Sequence, residues 1–336
     1  MKEEGVLLLH KRKRALISVS DKTGVAALAH SLIGLGWEIV STGGTAQSLR
    51  DAGLSVTSVD EVTGFPEILG GRVKTLNPMI HAGILARFDL EEQRLELERH
   101  GISPIELVVV NLYPFARTIA REGVRHAEAV ENIDVGGPTM LRAAAKNYAH
   151  VTVVVNPNRY PEVIAELEQN GLISLETRCR LAAEAFAHTA EYDAVIAGYF
   201  AALPEAGMGL YPAQLSFAFN KVQDLRYGEN PQQDAAFYAA SGAPSGLAAA
   251  RKLQGKEISF NNLNDLNAAW DMVREFELPT VVAVKHANPC GVGSAPTVEE
   301  AYTLAYDADP VSIFGGVLAV NRVVDGKTAR AMSKIF

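Results

Sequence analysis

The chain has 336 residues, 48% hydrophobic and 21% charged, enough to bury a sizeable core. At roughly 100–200 residues per domain that length suits two domains. The 31 Lys and Arg against 39 Asp and Glu leave a net charge of −8. That argues against a nucleic-acid surface, while a basic pocket for a small anion remains compatible with it.

In chain order, the N-terminus puts a short apolar run (residues 6–9) ahead of "HKRKR", the reverse of a signal peptide. No apolar stretch approaches the ~20 residues of a membrane span. Residues 15–20 read as a buried strand. Residues 23–35 have helical periodicity, with Asp21 as N-cap and Gly36 as terminator. Residues 37–41 are the next strand and "TGGT" the next turn. A helix over 47–52 and a short strand over 55–59 follow. Residues 105–112 and 151–156 are strong buried strands. Residues 161–170 and 175–200 are helices, the second long and Ala-rich. Strands alternating with helices predict a parallel sheet covered on both faces.

A Pro- and Gly-bearing stretch over 202–214 reads as a linker. Beyond it, residues 215–222 and 235–240 look like strands and "RKLQGKEISFNNLND" like loop. Residues 265–276 look like a helix, and 280–286 like a buried strand ending in two basic residues. The chain stops at "RAMSKIF", inside a helical pattern, which reads as a truncation. Cys179 and Cys290 form no C-x-x-C and read as reduced thiols of a cytoplasmic protein.

Several motifs carry chemistry. "SDKTG" joins a strand to a helix, so its amides crown a helix N-terminus, and Lys22 adds a charge. "STGGT" does the same one strand later, with glycines that admit close approach. Either turn alone is ordinary capping; together, at the carboxyl ends of adjacent parallel strands, they favour a phosphate. "GGRVKTLNPMIHAGILAR" puts Arg72 and Lys74 in a Gly-rich stretch, with His81 read as a satisfied core histidine. Asn111 and Tyr113 follow a buried strand. Asp134 precedes two glycines and a helix carrying Arg142 and Lys146. "LRYGENPQQ" and "VKHANPCGV" mark the second domain, where the Lys285–His286 pair at a strand end suits proton transfer near neutrality. Cys290 lacks a partner His and is set aside as a nucleophile. Chemistry alone points to acid–base work on a phosphorylated small molecule, or to a pocket that merely binds one.

Taken together, "SVSDKTG", "STGGTA", "TGFPEILGGRVKTLNP", "HAGILAR", "NLYPF", "IDVGGPTMLRAAAKN", "LRYGENPQQ" and "VKHANPCG" resemble, in order, the bifunctional purine biosynthesis enzymes that pair IMP cyclohydrolase with AICAR transformylase. The resemblance implies an α/β fold in two parts. A methylglyoxal-synthase-like parallel-sheet domain would cover 1–202, a linker 203–214, and the N-terminal portion of a cytidine-deaminase-like transformylase domain 215–336.

The first domain would close the ring of 5-formamidoimidazole-4-carboxamide ribotide (FAICAR) to give IMP, losing water and using no cofactor. Asp134 would take part in proton removal and Lys146 would stabilise the oxyanion, with Lys74 and Tyr113 completing the catalytic set. Ser20, Lys22, Thr23, Thr42, Gly44, Thr45, Arg72, Thr75, Asn111, Gly136 and Gly137 would hold phosphate and ribose. The second domain would move a formyl group from 10-formyltetrahydrofolate to AICAR. Arg226, Tyr227 and Asn288 would bind the ribotide, and Lys285 and His286 would handle the amine proton.

The resemblance also implies a homodimer, while the charge and the lack of a long apolar run predict no nucleic-acid or membrane partner. The family generally carries His where this chain has Asn77, and its members run beyond residue 336, so transformylase activity is expected to be impaired. A regulatory phospholigand sensor and a methylglyoxal synthase are the competing readings. The quartet Lys74, Tyr113, Asp134 and Lys146 weighs against the first, and the second domain against the other.

Overall fold

A computed structural model describes residues 13–209, 211–241 and 245–334. The reversed signal-peptide pattern therefore lies mostly outside the described residues, as does the chain's last Ile-Phe. The chain folds as two compact units, 1–218 and 219–336.

The first unit runs β1 (Arg14–Val19), α1 (Val25–Gly34), β2 (Glu38–Ser41), α2 (Gly43–Asp51), β3 (Thr57–Ser58), α3 (Val59–Thr63), α4 (Pro78–Leu85), α5 (Glu91–Arg99), β4 (Leu107–Asn111), α6 (Phe115–Ile119), α7 (His126–Glu131), α8 (Gly136–Lys146), β5 (Thr152–Val154), α9 (Tyr160–Asn170) and α10 (Leu175–Ala201). The five strands form one parallel sheet ordered β3-β2-β1-β4-β5. Strand alternation splits the core in two. Leu16, Val40, Val108, Val110 and Val153 face α4, α8 and α10. Ala15, Ile17, Ile39, Val109 and Val154 face α1 and α9. Burial on both faces explains why these strands read as unbroken apolar runs.

The strand order reverses between β1 and β4, and ligands of open parallel sheets bind at such a point. Val19 pairs with Asn111, so both strands end flush there.

The second unit runs β6 (Phe219–Leu225), β7 (Ala235–Ala240), α11 (Phe260–Val273), β8 (Thr280–Lys285), β9 (Asn288–Ser294), α12 (Val298–Ala308), β10 (Val317–Val320) and α13 (Gly326–Met332). β6 and β7 form an antiparallel ribbon, and β10-β8-β9 a three-stranded antiparallel sheet. β8 is buried on both faces: Val282 and Val284 meet α11, while Val281 meets α12. Gly291 and Gly293 let β9 lie against α12, since a side chain on either would collide with the carbonyls of Ala305 and Ala301.

The structure corrects several expectations. α2 begins on the "GG" itself, with Gly43 in the left-handed conformation (φ 54) that glycine admits at its first position. "LNPMIHAGIL", assigned no element from sequence, contains α4: Asn77 caps it by accepting Met79 N–H at 2.8 Å, with Pro78 at its first position. β6 starts at Phe219 rather than 215. α11 starts at Phe260 rather than 265, because Ser259 and Asn262 form a capping box that extends the helix backward. Among the described residues no helix is long and apolar enough to cross a membrane.

Candidate active site

The β1–α1 turn is built from within. Asn111 Oδ1 accepts the N–H groups of Ser20 (2.7 Å) and Asp21 (2.9 Å), and its Nδ2 donates to Asp21 O at 3.1 Å. Thr23 donates to Asp21 Oδ1 from both its amide (2.9 Å) and its hydroxyl (2.7 Å). Asp21 therefore does not cap α1; the N-cap is Gly24, left-handed at φ 69, with no side-chain cap. Ser20, Thr23 and Asn111, expected to grip an anion, instead spend these groups on shaping the loop across the switch point. Tyr160 lies beneath it: a methyl on Gly24 would sit 3.5 Å from its ring. Burial, with the charge of Asp21 adding to it, pushes the Tyr160 hydroxyl up to about 12. Sequence reasoning missed Tyr160, which looks like any helix tyrosine.

The β2–α2 turn is open. Thr42 is extended at the N-cap, with no side-chain cap bond, and Gly43 and Gly44 are exposed. The first-turn amides of a helix have no partner within it and carry the positive end of the dipole. Thr45 is the closed member of this turn. It is 4% exposed, and its hydroxyl donates to Val19 O (2.9 Å) and accepts Val19 N–H (3.0 Å). It bolts α2 to β1.

Two ammonium groups converge on this helix end. A methyl on Gly43 would lie 3.4 Å from Lys74 Nζ, and one on Gly44 4.0 Å from Lys22 Nζ. Lys74 is half-buried and ion-paired with Glu67 at 3.0 Å. Gly71, at φ 97, lets its side chain lie back, since a methyl there would be 2.8 Å from Lys74 Cε. Two cations aimed at a positive helix end repel one another and it, and an anion relieves all three. Arg72 is paired instead with Glu131.

The same loop reaches a second helix N-terminus. Thr75 is buried, and a methyl on Gly136 would lie 2.8 Å from its Oγ1. At that end of α8, Asp134 Oδ1 accepts Gly137 N–H at 2.9 Å. A side chain on Gly137 would run into Asp134 Oδ2 and come 2.7 Å from Leu112 Cδ2. Burial raises the Asp134 pKa, while the amides of Gly137 and Gly136 pull it down. Tyr113, next to Leu112, is 55% exposed. Lys22, Lys74, Thr75, Tyr113, Asp134, Gly136 and Gly137 thus gather around the carboxyl ends of β1, β2 and β4.

Lys146 does not join them. It is the last residue of the 11-residue α8. Ten rises of about 1.5 Å put its Cα roughly 15 Å from that of Gly136, at the end of α8 where Asp134 sits. The spacing of one motif hid this, because a helix turns sequence proximity into distance. His81 departs from its expectation too. It is half-buried, and burial lowers its pKa against a hydrogen bond to the Thr75 backbone. Its Nε2 is buried without a partner among the described residues.

In the second unit, His286 (φ 54) and Ala287 (φ 59) are both left-handed at the β8–β9 turn, a geometry that twists with a hairpin but strains non-glycine residues. Asp265 on α11 holds it, accepting Ala287 N–H at 2.7 Å. Asn288 Nδ2 donates to His286 O at 2.7 Å, and Lys285 Nζ to Phe314 O at 3.1 Å. The Arg226 guanidinium lies 4.9 Å from the Tyr227 ring centroid. Arg226 N–H bonds Ile258 O and Phe260 N–H bonds Tyr227 O, tying that pair to the start of α11. Both motifs therefore flank the N-terminal half of one helix. Cys290 has its thiol pushed up by burial and donates weakly to Ala283 O, an inert setting.

This arrangement is that of an α/β domain of the methylglyoxal-synthase-like kind, and the model of MGS-like domains matches residues 24–139. The model of the AICARFT/IMPCHase bienzyme matches residues 144–336, and the chain belongs to that family. It is 54% identical over 325 residues to the bifunctional purine biosynthesis protein PurH of Acetivibrio thermocellus, and 55% to that of Listeria monocytogenes. Each comparison covers 96% of this chain and 63% of the relative, so the chain spans about 63% of their length. The crystal structure of ForH is 41% identical with a TM-score of 0.52, covering 56% of this chain and 98% of that one.

Proposed function

We propose that the first unit is an IMP cyclohydrolase, closing FAICAR to IMP in purine biosynthesis. The observation that carries this is a carboxylate of raised pKa, Asp134, joined through one loop (Lys74–Thr75) to a two-lysine anion site on α2. A phosphate site alone serves a sensor equally well; a half-buried base beside it suits turnover.

In the reaction the carboxamide nitrogen bonds to the formyl carbon and the formyl oxygen leaves as water. Its two protons come from the carboxamide and formamido nitrogens. Lys22 and the α2 amides hold the 5′-phosphate, with Thr42 and Gly44 in the same turn. Asp134 accepts the proton from the attacking nitrogen. Lys74 faces the oxygen as it gains charge, which stabilises the transition state more than the ground state. Tyr113 closes the exposed side, and Arg72 joins the phosphate after leaving Glu131. Lys146 acts at this centre if a second copy brings it there, consistent with a homodimer.

In the second unit, Arg226, Tyr227 and Asn288 bind AICAR, and Lys285 and His286 manage the proton of its amine. 10-Formyltetrahydrofolate is the formyl-donating co-substrate in this reading. The protein works in the cytoplasm.

The test is conversion of FAICAR to IMP by the purified chain, followed by absorbance, with an Asp134→Asn control. Turnover lost in the control supports the reading. Ribotide binding without turnover replaces it with the sensor.

A further inference from the structure

We infer that Tyr192, on the long helix α10, is a positioning residue that sets the place of Asp134; this rests on the cyclohydrolase reading only for its kinetic consequence. The Tyr192 hydroxyl accepts the Asp134 backbone N–H at 2.7 Å and donates to Asn132 O at 3.3 Å. Both of its hydrogen-bonding directions are thus spent on the three-residue turn that delivers Asp134. The carboxylate of the same residue is fixed by Gly137 N–H. Asp134 is held at both ends, its backbone by α10 and its side chain by α8.

The tyrosine itself is rigid. It is 8% exposed, and its ring packs edge-on against Phe115, centroids 6.4 Å apart. Phe115 is fully buried two residues after Tyr113 and takes a second edge-on contact from Tyr199. One helix therefore braces both segments that carry acid–base candidates, the Leu112–Phe115 turn after β4 and the Asn132–Asp134 turn between α7 and α8. Tyr199, two helical turns further along, bonds His126 at 2.9 Å on α7 and touches neither Asp134 nor Asn132 in these bonds. It is a built-in control: same helix, same residue type, a hydroxyl bonded elsewhere.

The groups facing Asp134 are the Tyr192 hydroxyl from α10, the Gly136 and Gly137 amides of α8, and apolar Leu112 after β4. Asp193 adds a further negative charge near the tyrosine. Removing the hydroxyl leaves a part-buried N–H and carbonyl unpaired, and the turn relaxes toward water to satisfy them. The carboxylate then loses both its aim and its dry setting.

The experiment compares Tyr192→Phe, Tyr199→Phe and the unaltered chain. Asp134 is titrated by NMR of ¹³C-carboxyl aspartate, assigned by its loss in Asp134→Asn, at a temperature where circular dichroism shows each variant folded. FAICAR turnover and IMP binding are measured alongside. In Tyr192→Phe we expect the Asp134 midpoint to move toward the ordinary aspartate value, kcat to fall roughly 10- to 100-fold, and KM and IMP affinity to stay within about threefold. Tyr199→Phe should change none of these. An unmoved Asp134 midpoint in Tyr192→Phe, or equal effects in Tyr199→Phe, overturns the inference. An unaltered chain that does not turn over FAICAR defeats the cyclohydrolase reading instead, and the titration still decides the positioning role.

Discussion

Asp134 is held between opposing forces: burial raises its pKa and two α8 amides lower it, with burial the larger. A folded-state pKa above the unfolded 3.8 means the native chain binds the extra proton in the window between them. Stability therefore falls as pH rises through that window and stays lower above it. Asp134→Asn should lose FAICAR turnover by about 10²- to 10⁴-fold, the range for a general base. The same variant should melt later than the unaltered chain at pH 7, and the gain should vanish below pH 3.8, read by thermal unfolding at both pH values. A variant that loses activity and stability together would show a structural role instead. Lys22→Ala should weaken IMP binding about 10- to 100-fold, the 1.5–3 kcal/mol of a charge-assisted bond. Calorimetry at low and high salt checks it, because the charged contact should also make the unaltered chain the more salt-sensitive of the two. Lys22 and Asp134 were legible as candidates from the motifs alone. Thr45 was not separable from a phosphate ligand, since its bond to both backbone groups of Val19 exists only once α2 lies beside β1.

At the scale of elements, the apolar strands and the Ala-rich helix α10 announced themselves through local pattern, which burial on both sheet faces produces directly. The short helices α3 to α7 did not. They are 5 to 9 residues long, with too few turns to show a period, and their caps such as Asn77 resemble loop residues. The Gly291 and Gly293 pair reads as turn material in sequence, yet it marks where β9 presses against α12. Gly293→Ala must push those elements apart and should cost about 1–3 kcal/mol, as overpacking does. In a Trp270→Phe background, urea denaturation should show the loss in the second unit by circular dichroism, while the near-ultraviolet signal of Trp37 in the first stays put. Loss of the Trp37 signal at the same lowered midpoint would mean the two units unfold together.

At the scale of the molecule, each unit has its own sheet and its own buried clusters. The roughly 15 Å of α8 between Lys146 and the helix end that holds Asp134 makes a molecular prediction. Lys146 serves the Asp134 centre only across copies, so mixing Asp134→Asn with Lys146→Ala chains should restore activity. In a two-fold dimer that shares sites, half the mixed dimers are hybrids with one intact site of two, so about a quarter of the full rate returns. No recovery at any protein concentration would confine the site to a single chain and remove Lys146 from it.

The sequence by itself determined the alternating α/β plan, the two polar glycine-bearing turns as candidates for an anion site, and the family likeness, because each is written in residues close along the chain. Only the tertiary structure decided which candidates meet. It brought Lys22, Lys74 and α2 together and set Asp134 between α8 and Tyr192. It turned Thr45 and Asn111 into struts and carried Lys146 away along a helix. Hydrogen-bond partners and helical rise act through space, and a residue's neighbours in space are not its neighbours in the chain.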